Sequence, residues 1–161
     1  MDQGFAPLLL DGGNATWTSS DTYELMNSAE RFGTWEKPYA MLTGLTEALR
    51  YLNEIGIQNV EDHNKKIMHR LRNNLSAIPS VTCYDLGTNT SNILTFRKKD
   101  KTPEEIKNLF SDHQVFYGIS QKHQGQIDFE KKGVDWAVRL SPHYFNTEEE
   151  MDRISTIIEE L

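Results

Sequence analysis

The sequence predicts an α+β domain in which helices cover one face of an antiparallel sheet. Three observations lead to this fold class. Apolar residues recur at three- and four-residue steps in two long segments, short β-branched and aromatic runs lie between turn residues, and two capping boxes precede further helical segments. From residue 38 onward the predicted order is α-α-β-β-α-β-β-α, which is typical of an α+β domain.

Four helices are predicted in this part of the chain. The first begins at Pro38, a residue suited to a first helical turn, and stops at Gly56. The second spans Asn59–Ala77 and carries one apolar stripe. The third and fourth each follow a threonine and a glutamate spaced as a capping box, and they cover about 103–112 and the segment after Thr147.

Four strands are predicted between and after these helices. They are 81–84, 92–96, 115–119 and 136–140, and a turn at 87–90 joins the first two. The first 37 residues contrast with this regularity, because glycine, serine and aspartate interrupt every period. A structureless segment of this length is rare inside a compact domain. We therefore expect an irregular head, 1–37, that packs on a larger body, and a small α+β domain, 38–161.

Composition excludes several classes of function. A net charge of −7 argues against non-specific nucleic-acid binding, which needs basic patches. No apolar run approaches a membrane span and the first residues lack a signal-peptide pattern, so we expect a cytoplasmic protein without a membrane partner. Cys83 is the single cysteine, so an internal disulfide is excluded. His63 and His69 are six residues apart in a helix and do not share a face, so we expect no metal site.

Arg139 is the most informative single residue. Strand alternation places it on the same face as Ala137 and Ser141, two small residues that leave room for a planar anion such as a carboxylate. The alternative is an ordinary solvated arginine. His143 follows in the loop 141–147 and could face the same ligand, or it could simply pack the turn between strand and helix.

Several short motifs occur in one order along almost the whole chain. They are Ala15-Thr-Trp-Thr18, Tyr23-Glu-Leu25, Ala29-Glu-Arg-Phe32, Thr34-Trp-Glu36, Tyr39-Ala40, Gly44-Leu45, Ala48-Leu-Arg-Tyr51, Ile55-Gly56, Arg139-Leu-Ser-Pro-His-Tyr144 and Asn146-Thr-Glu-Glu-Glu-Met-Asp152. Together they resemble the C-terminal part of class V aminotransferase-like enzymes. That family depends on pyridoxal 5'-phosphate (PLP) and includes cysteine desulfurases, selenocysteine lyases and isopenicillin-N epimerases. The first motifs look closest to the epimerase-like and selenocysteine-lyase-like members.

The resemblance implies a fold-type-I PLP enzyme, a homodimer whose small C-terminal domain follows a large cofactor domain. It implies that Arg139, with His143 beside it, binds the carboxylate of an amino-acid substrate. It also implies that Gly33 and Thr34 reach toward the PLP phosphate of the partner subunit. The reaction stays open among transamination, racemisation, lyase and desulfurase chemistry.

The departures from the family concern the catalytic residues. In relatives the Schiff-base lysine lies in a strand-end motif upstream of where this chain begins, and no lysine from Lys37 to Lys132 lies in such a motif. We therefore expect Met1 to lie inside the large domain, and the chain alone to bind no PLP and to lack catalysis. The loop 121–126 carries no cysteine, which disfavours a persulfide mechanism. The alternative is a stand-alone α+β interaction or dimerisation domain without catalysis.

Overall fold

A computed structural model describes residues 5–85, 87–88 and 90–161. The chain divides into two compact units, one that ends at Glu54 and one from Ile55 to Leu161. A domain boundary at residue 38 stays a prediction. Among the described helices, none is both long enough and apolar enough to cross a membrane.

The first unit contains a small hairpin where an irregular segment was expected. Strands β1 (Ala15–Trp17) and β2 (Tyr23–Leu25) pair antiparallel, and the rings of Trp17 and Tyr23 meet edge to face with centroids 5.5 Å apart. A 3₁₀ helix, Ala29–Phe32, follows. Strands of three residues are too short to leave a period of two in the sequence, which is why the head was predicted to be irregular.

Helix α1 (Tyr39–Ile55) confirms the first predicted helix, but its apolar stripe is not buried. Leu42, Leu45 and Leu49 are 44%, 53% and 51% exposed. The three- and four-residue spacing therefore determines the helix and its face, while the described residues leave that face uncovered.

The second unit is built on one antiparallel sheet. Its strands are β3 (Val81–Cys83), β4 (Leu94–Lys98), β5 (Gly118–Gln121) and β6 (Trp136–Leu140), in the order β3-β4-β6-β5. Its helices are α2 (Ile57–Ala77), α3 (Pro103–Asp112), α4 (Gln126–Lys132) and α5 (Glu148–Glu159). All three strand pairings are antiparallel.

The core of this unit lies between the sheet and three helices. Phe96 of β4 and Val138 of β6 face the same cluster as Leu71 of α2, Phe110 of α3 and Ile158 of α5, and all five are fully buried. The sheet thus presents one face to helices α2, α3 and α5. The predicted α+β class with an antiparallel sheet and covering helices is confirmed.

Local differences from the predicted elements have local causes. Helix α2 begins before Asn59, because Gly56 breaks α1 with a φ of 87° and the Asn59 side chain donates to the carbonyl of Ile55 instead of capping α2. Strand β5 begins later than predicted, because the N–H of Val115 closes the end of α3 on the carbonyl of Phe110. Helix α4 was not predicted. The predicted turn at 87–90 includes Asn89, which lies outside the described residues.

Candidate functional site

Arg139 lies on the sheet face opposite the buried cluster. It is in the inner strand β6, where it pairs with Thr95 of β4 on one side and with Gly118 of β5 on the other. Its neighbours along the strand, Val138 and Leu140, point into the core and are buried, whereas Arg139 is exposed. The alternation predicted for this strand is therefore confirmed.

Gly118 is a neighbour of Arg139 that the alternation along one strand does not predict. A β-carbon built on Gly118 would lie 3.3 Å from Nη2, 3.4 Å from Nε and 3.6 Å from Cζ of Arg139. The guanidinium group therefore lies directly across the backbone of β5. A glycine inside a strand often marks such a close approach, and that signal was present in the sequence.

The guanidinium of Arg139 has no hydrogen-bond acceptor or carboxylate partner among the described residues. The other arginines of the second unit do have partners. Arg70 pairs with Asp152 and Glu148, Arg72 with Asp85, Arg153 donates to the carbonyl of His113, and Arg97 lies over the ring of Trp136. An exposed guanidinium on a sheet surface, with its five N–H groups uncommitted to described side chains, is suited to a bidentate carboxylate.

A second network holds Asp85 against strand β4. The carboxylate of Asp85 accepts hydrogen bonds from both the N–H and the hydroxyl of Thr95, each at 3.0 Å, and pairs with Nε of Arg72 at 3.4 Å. Arg72 also donates to the carbonyls of Ser91 and Ile93. The negative charge of Asp85 is thus already compensated by Arg72, next to the threonine that pairs with Arg139.

His143 is engaged in the turn before α5. Its backbone N–H donates to Oδ1 of Asn146 at 2.9 Å, and its ring packs edge to face against Tyr144 with centroids 4.9 Å apart. The Asn146 carbonyl in turn contacts Nε2 of His63 on α2 at 2.9 Å. These contacts favour the packing alternative for His143; a role in substrate binding stays a prediction.

Gly33 and Thr34 lie in the first unit, after the 3₁₀ helix. The Gly33 N–H donates to the carbonyl of Glu30 at 2.8 Å, and the Thr34 hydroxyl donates to the carbonyl of Glu36 at 2.9 Å. The Gly33 carbonyl accepts from Asn14, which is 99% buried and holds this loop. Two of the donors that a phosphate would need are therefore used inside the loop.

The residues present do not fit a complete PLP site. Lys98, at the end of β4, is buried, and its Nζ donates to the last carbonyls of α5, those of Ile158 and Glu159. Burial lowers the pKa of this ammonium, with the charge of Lys101 as a second cause. Because Lys98 is committed to capping a helix and the Gly33–Thr34 donors to their own loop, we derive no chemical step through PLP.

Cys83 lies on a different strand from the segment 121–126. It lies on β3, half-buried, with its Sγ 3.9 Å from the hydroxyl of Ser76. Burial raises the pKa of this thiol, so little of it is ionised near neutral pH. The segment 121–126 itself forms the end of β5, a short 3₁₀ helix and the first residue of α4.

Comparison with known proteins agrees with the motifs. A probable cysteine desulfurase of Methanothermobacter thermautotrophicus is 28% identical over 159 residues, which are 96% of this chain and 40% of the relative. One of Pyrococcus abyssi is 24% identical over 160 residues, which are 98% of this chain and 39% of the relative. The chain thus spans about two fifths of the length of these relatives.

Solved structures show the same fold. The apo structure of a cysteine desulfurase from Thermococcus onnurineus NA1 matches 96% of this chain with a TM-score of 0.78 and 25% identity, over 38% of its own length. A cysteine desulfurase of Escherichia coli gives the same TM-score at 18% identity and supports the fold alone. The model of the family described as aminotransferase class-V matches residues 1–154. The resemblance predicted from the motifs is confirmed, and the chain belongs to the class V aminotransferase family.

Proposed function

We propose that this chain forms the substrate-carboxylate-binding part of a PLP-dependent enzyme that acts on an amino acid. The observation that carries the proposal is the exposed guanidinium of Arg139 between Thr95 and Gly118, with no acceptor among the described residues. The proposal includes the position of the chain in the C-terminal part of a cytoplasmic, homodimeric parent enzyme. Membership in the family and the two-fifths share of the relatives' length support it.

The role of Arg139 follows from the shape of its side chain. A guanidinium is planar and donates two parallel hydrogen bonds to one carboxylate, which fixes the orientation of the ligand as well as its charge. PLP, when bound in the complete enzyme, supplies the electron sink for chemistry at the substrate's α-carbon. Arg139 would hold the carboxylate on that carbon, and would thereby orient it.

The substrate class follows from the relatives and from the position of the single cysteine. The relatives are named cysteine desulfurases, so L-cysteine is one substrate to consider. Because the thiol of Cys83 is half-buried and its pKa is raised, we expect the reaction not to run through a persulfide on this chain. Lyase, racemase and transaminase reactions on an amino acid remain within the proposal.

The test is a titration of the isotope-labelled chain followed by NMR. One bidentate pair in an exposed site corresponds to a dissociation constant of about 10–100 mM, so L-alanine should shift the backbone amide resonances of Thr95 and Gly118, which pair with Arg139, in that range. L-Alaninamide, which lacks the carboxylate, should not. Arg139→Gln should abolish the shift, whereas Arg97→Gln, which removes a guanidinium that lies over Trp136, should retain it. Equal binding of both ligands, or full binding by Arg139→Gln, would refute the assignment.

We further propose that the chain alone does not attach PLP covalently. The support is the commitment of Lys98 to the end of α5 and the absence of a strand-end lysine motif. The chain is incubated with PLP, reduced with borohydride and digested for mass spectrometry. Stoichiometric labelling of one lysine would contradict this, and scattered, substoichiometric labelling of exposed lysines would agree with it.

A non-catalytic interaction domain is the second candidate. It is favoured by the exposed apolar stripe of α1, where Leu42, Leu45 and Leu49 lie on one helical face. Sedimentation of the chain and of Leu45→Glu tests whether this face mediates self-association. If the chain associates, Leu45→Glu should dissociate it. A chain that stays monomeric at high concentration would remove the support for self-association.

A further inference from the structure

We propose that Gly118 is a positioning residue for Arg139. By carrying no side chain, it lets the guanidinium lie flat across β5 in the place where it meets a carboxylate. This inference rests on the proposed role of Arg139. It adds a second residue, on a different strand, to the determinants of that site.

The backbone of Gly118 does not require glycine. Among the described residues, the glycines in the left-handed region are Gly56, Gly87 and Gly133, and Gly118 is not one of them. Gly118 lies in β5 and pairs in register with Arg139. Side chains of the β-branched type suit such an edge strand better than glycine does. The reason for glycine must therefore lie in the space above the backbone rather than in its conformation.

That space is filled by the guanidinium. A β-carbon on Gly118 would lie 3.3 Å from Nη2 and 3.4 Å from Nε of Arg139, closer than the usual contact distance of about 3.5–4.0 Å. Alanine would push the group outward by a few tenths of an ångström, and a branched side chain would occupy its place. The bonds from a guanidinium to a carboxylate are about 2.7–2.9 Å long and directional, so displacements of this size weaken them.

On the β4 side, Arg139 has a neighbour with a side chain rather than a glycine. Thr95, its partner on β4, does carry a side chain, but its hydroxyl is tied to the carboxylate of Asp85 at 3.0 Å. Only the β5 side therefore offers a bare backbone on which the guanidinium can rest. This asymmetry predicts that bulk added at residue 118 affects Arg139 specifically.

The experiment compares Gly118→Ala, Gly118→Val and Arg139→Gln with the unaltered chain. Gly125→Ala is the matched control, because a β-carbon there would meet Phe129 at an ordinary 3.6 Å. Three quantities are measured: the L-alanine dissociation constant by NMR, the chemical shift and relaxation of the Arg139 Nε–Hε group, and the melting temperature. Relaxation of this group reports the immobilisation of the guanidinium, which a purely structural role of Gly118 would leave unchanged.

We expect binding to weaken about threefold in Gly118→Ala and about tenfold or more in Gly118→Val, with a more mobile Nε–Hε group. The melting temperature should hold or rise, because both residues favour strands more than glycine does. Unchanged affinity and unchanged Nε–Hε relaxation in Gly118→Ala would overturn the inference even if Gly118→Val failed to fold. If Arg139→Gln kept full affinity, the proposed function itself would fail, and the two results are thus distinguishable.

Discussion

Replacement of Asp85 by alanine tests the network beside Arg139. The Asp85 carboxylate accepts from the N–H and the hydroxyl of Thr95 and pairs with Arg72. The side chains of Asp85 and Arg72 are only 15% and 21% exposed. Solvent therefore screens the pair less than it screens a surface ion pair, and the removal of the carboxylate leaves two donors of Thr95 without an acceptor.

The magnitude follows from these contacts. Hydrogen bonds to a charged group contribute about 1.5–3 kcal/mol each but are not additive within one network, and Arg72 keeps its bonds to the carbonyls of Ser91 and Ile93. We expect Asp85→Ala to lower the free energy of unfolding by about 2–4 kcal/mol. For a unit of this size that is a fall in melting temperature of about 10–25 °C. Asp85→Asn, which keeps one acceptor oxygen, should lose about half as much.

Urea denaturation and thermal melting of the chain measure these losses. Glu61→Ala is the control, since Glu61 forms an exposed pair with Lys65 within α2 and should change stability by less than about 0.5 kcal/mol. A cycle that combines Asp85→Ala with Thr95→Val should show a coupling of about 1 kcal/mol. A loss below about 1 kcal/mol for Asp85→Ala, or additive effects in the cycle, would refute the network as a stabilising unit.

Three further predictions follow from single contacts. Burial lowers the pKa of Lys98 below its usual value of 10.5, so just below pH 10.5 the unfolded chain binds more protons than the folded chain. The free energy of unfolding should therefore rise with pH in that window. In urea titrations, Lys98→Met should remove this dependence on pH. Because burial raises the pKa of Cys83, iodoacetamide at pH 8 should alkylate the folded chain at least about tenfold more slowly than the urea-unfolded chain, and equal rates would contradict this. Thr147→Ala should lower the free energy of unfolding by about 1 kcal/mol through loss of the capping box of α5, whereas Thr156→Ala on the exposed surface of the same helix should not.

Helix ends and long helices could be predicted because their signals are local. Thr102 with Glu105 and Thr147 with Glu150 form the two capping boxes that the spacing predicts, since both partners lie within one turn. Helix α4 was missed because it has seven residues and only Phe129 of them is buried, so no apolar stripe exists. The hairpin at 15–25 was missed because its strands have three residues each, too few to show an alternation of apolar and polar residues.

The surroundings of Arg139 show why a site is harder to predict than an element. The spacing identified Ala137 and Ser141 as its small neighbours, but residues two apart in a strand are about 6.5–7 Å from each other along the chain. The partners across the strands, Thr95 and Gly118, are closer, at about 4.5–5.5 Å. Which residues these are depends on the register of three strands, and a shift of one residue would replace both.

Register also explains how Arg139 keeps its donors uncommitted beside a carboxylate. Thr95 pairs with Arg139 and also donates a hydrogen bond to Asp85. Without another partner, the Asp85 carboxylate could therefore bind Arg139. Arg72 from α2 neutralises that carboxylate from the other side, and the guanidinium of Arg139 lies toward Gly118 on β5. Thr95 thus lies between the ion pair that stabilises the fold and the arginine proposed to bind the ligand. Asp85→Ala should then reduce stability far more than it reduces the affinity for L-alanine.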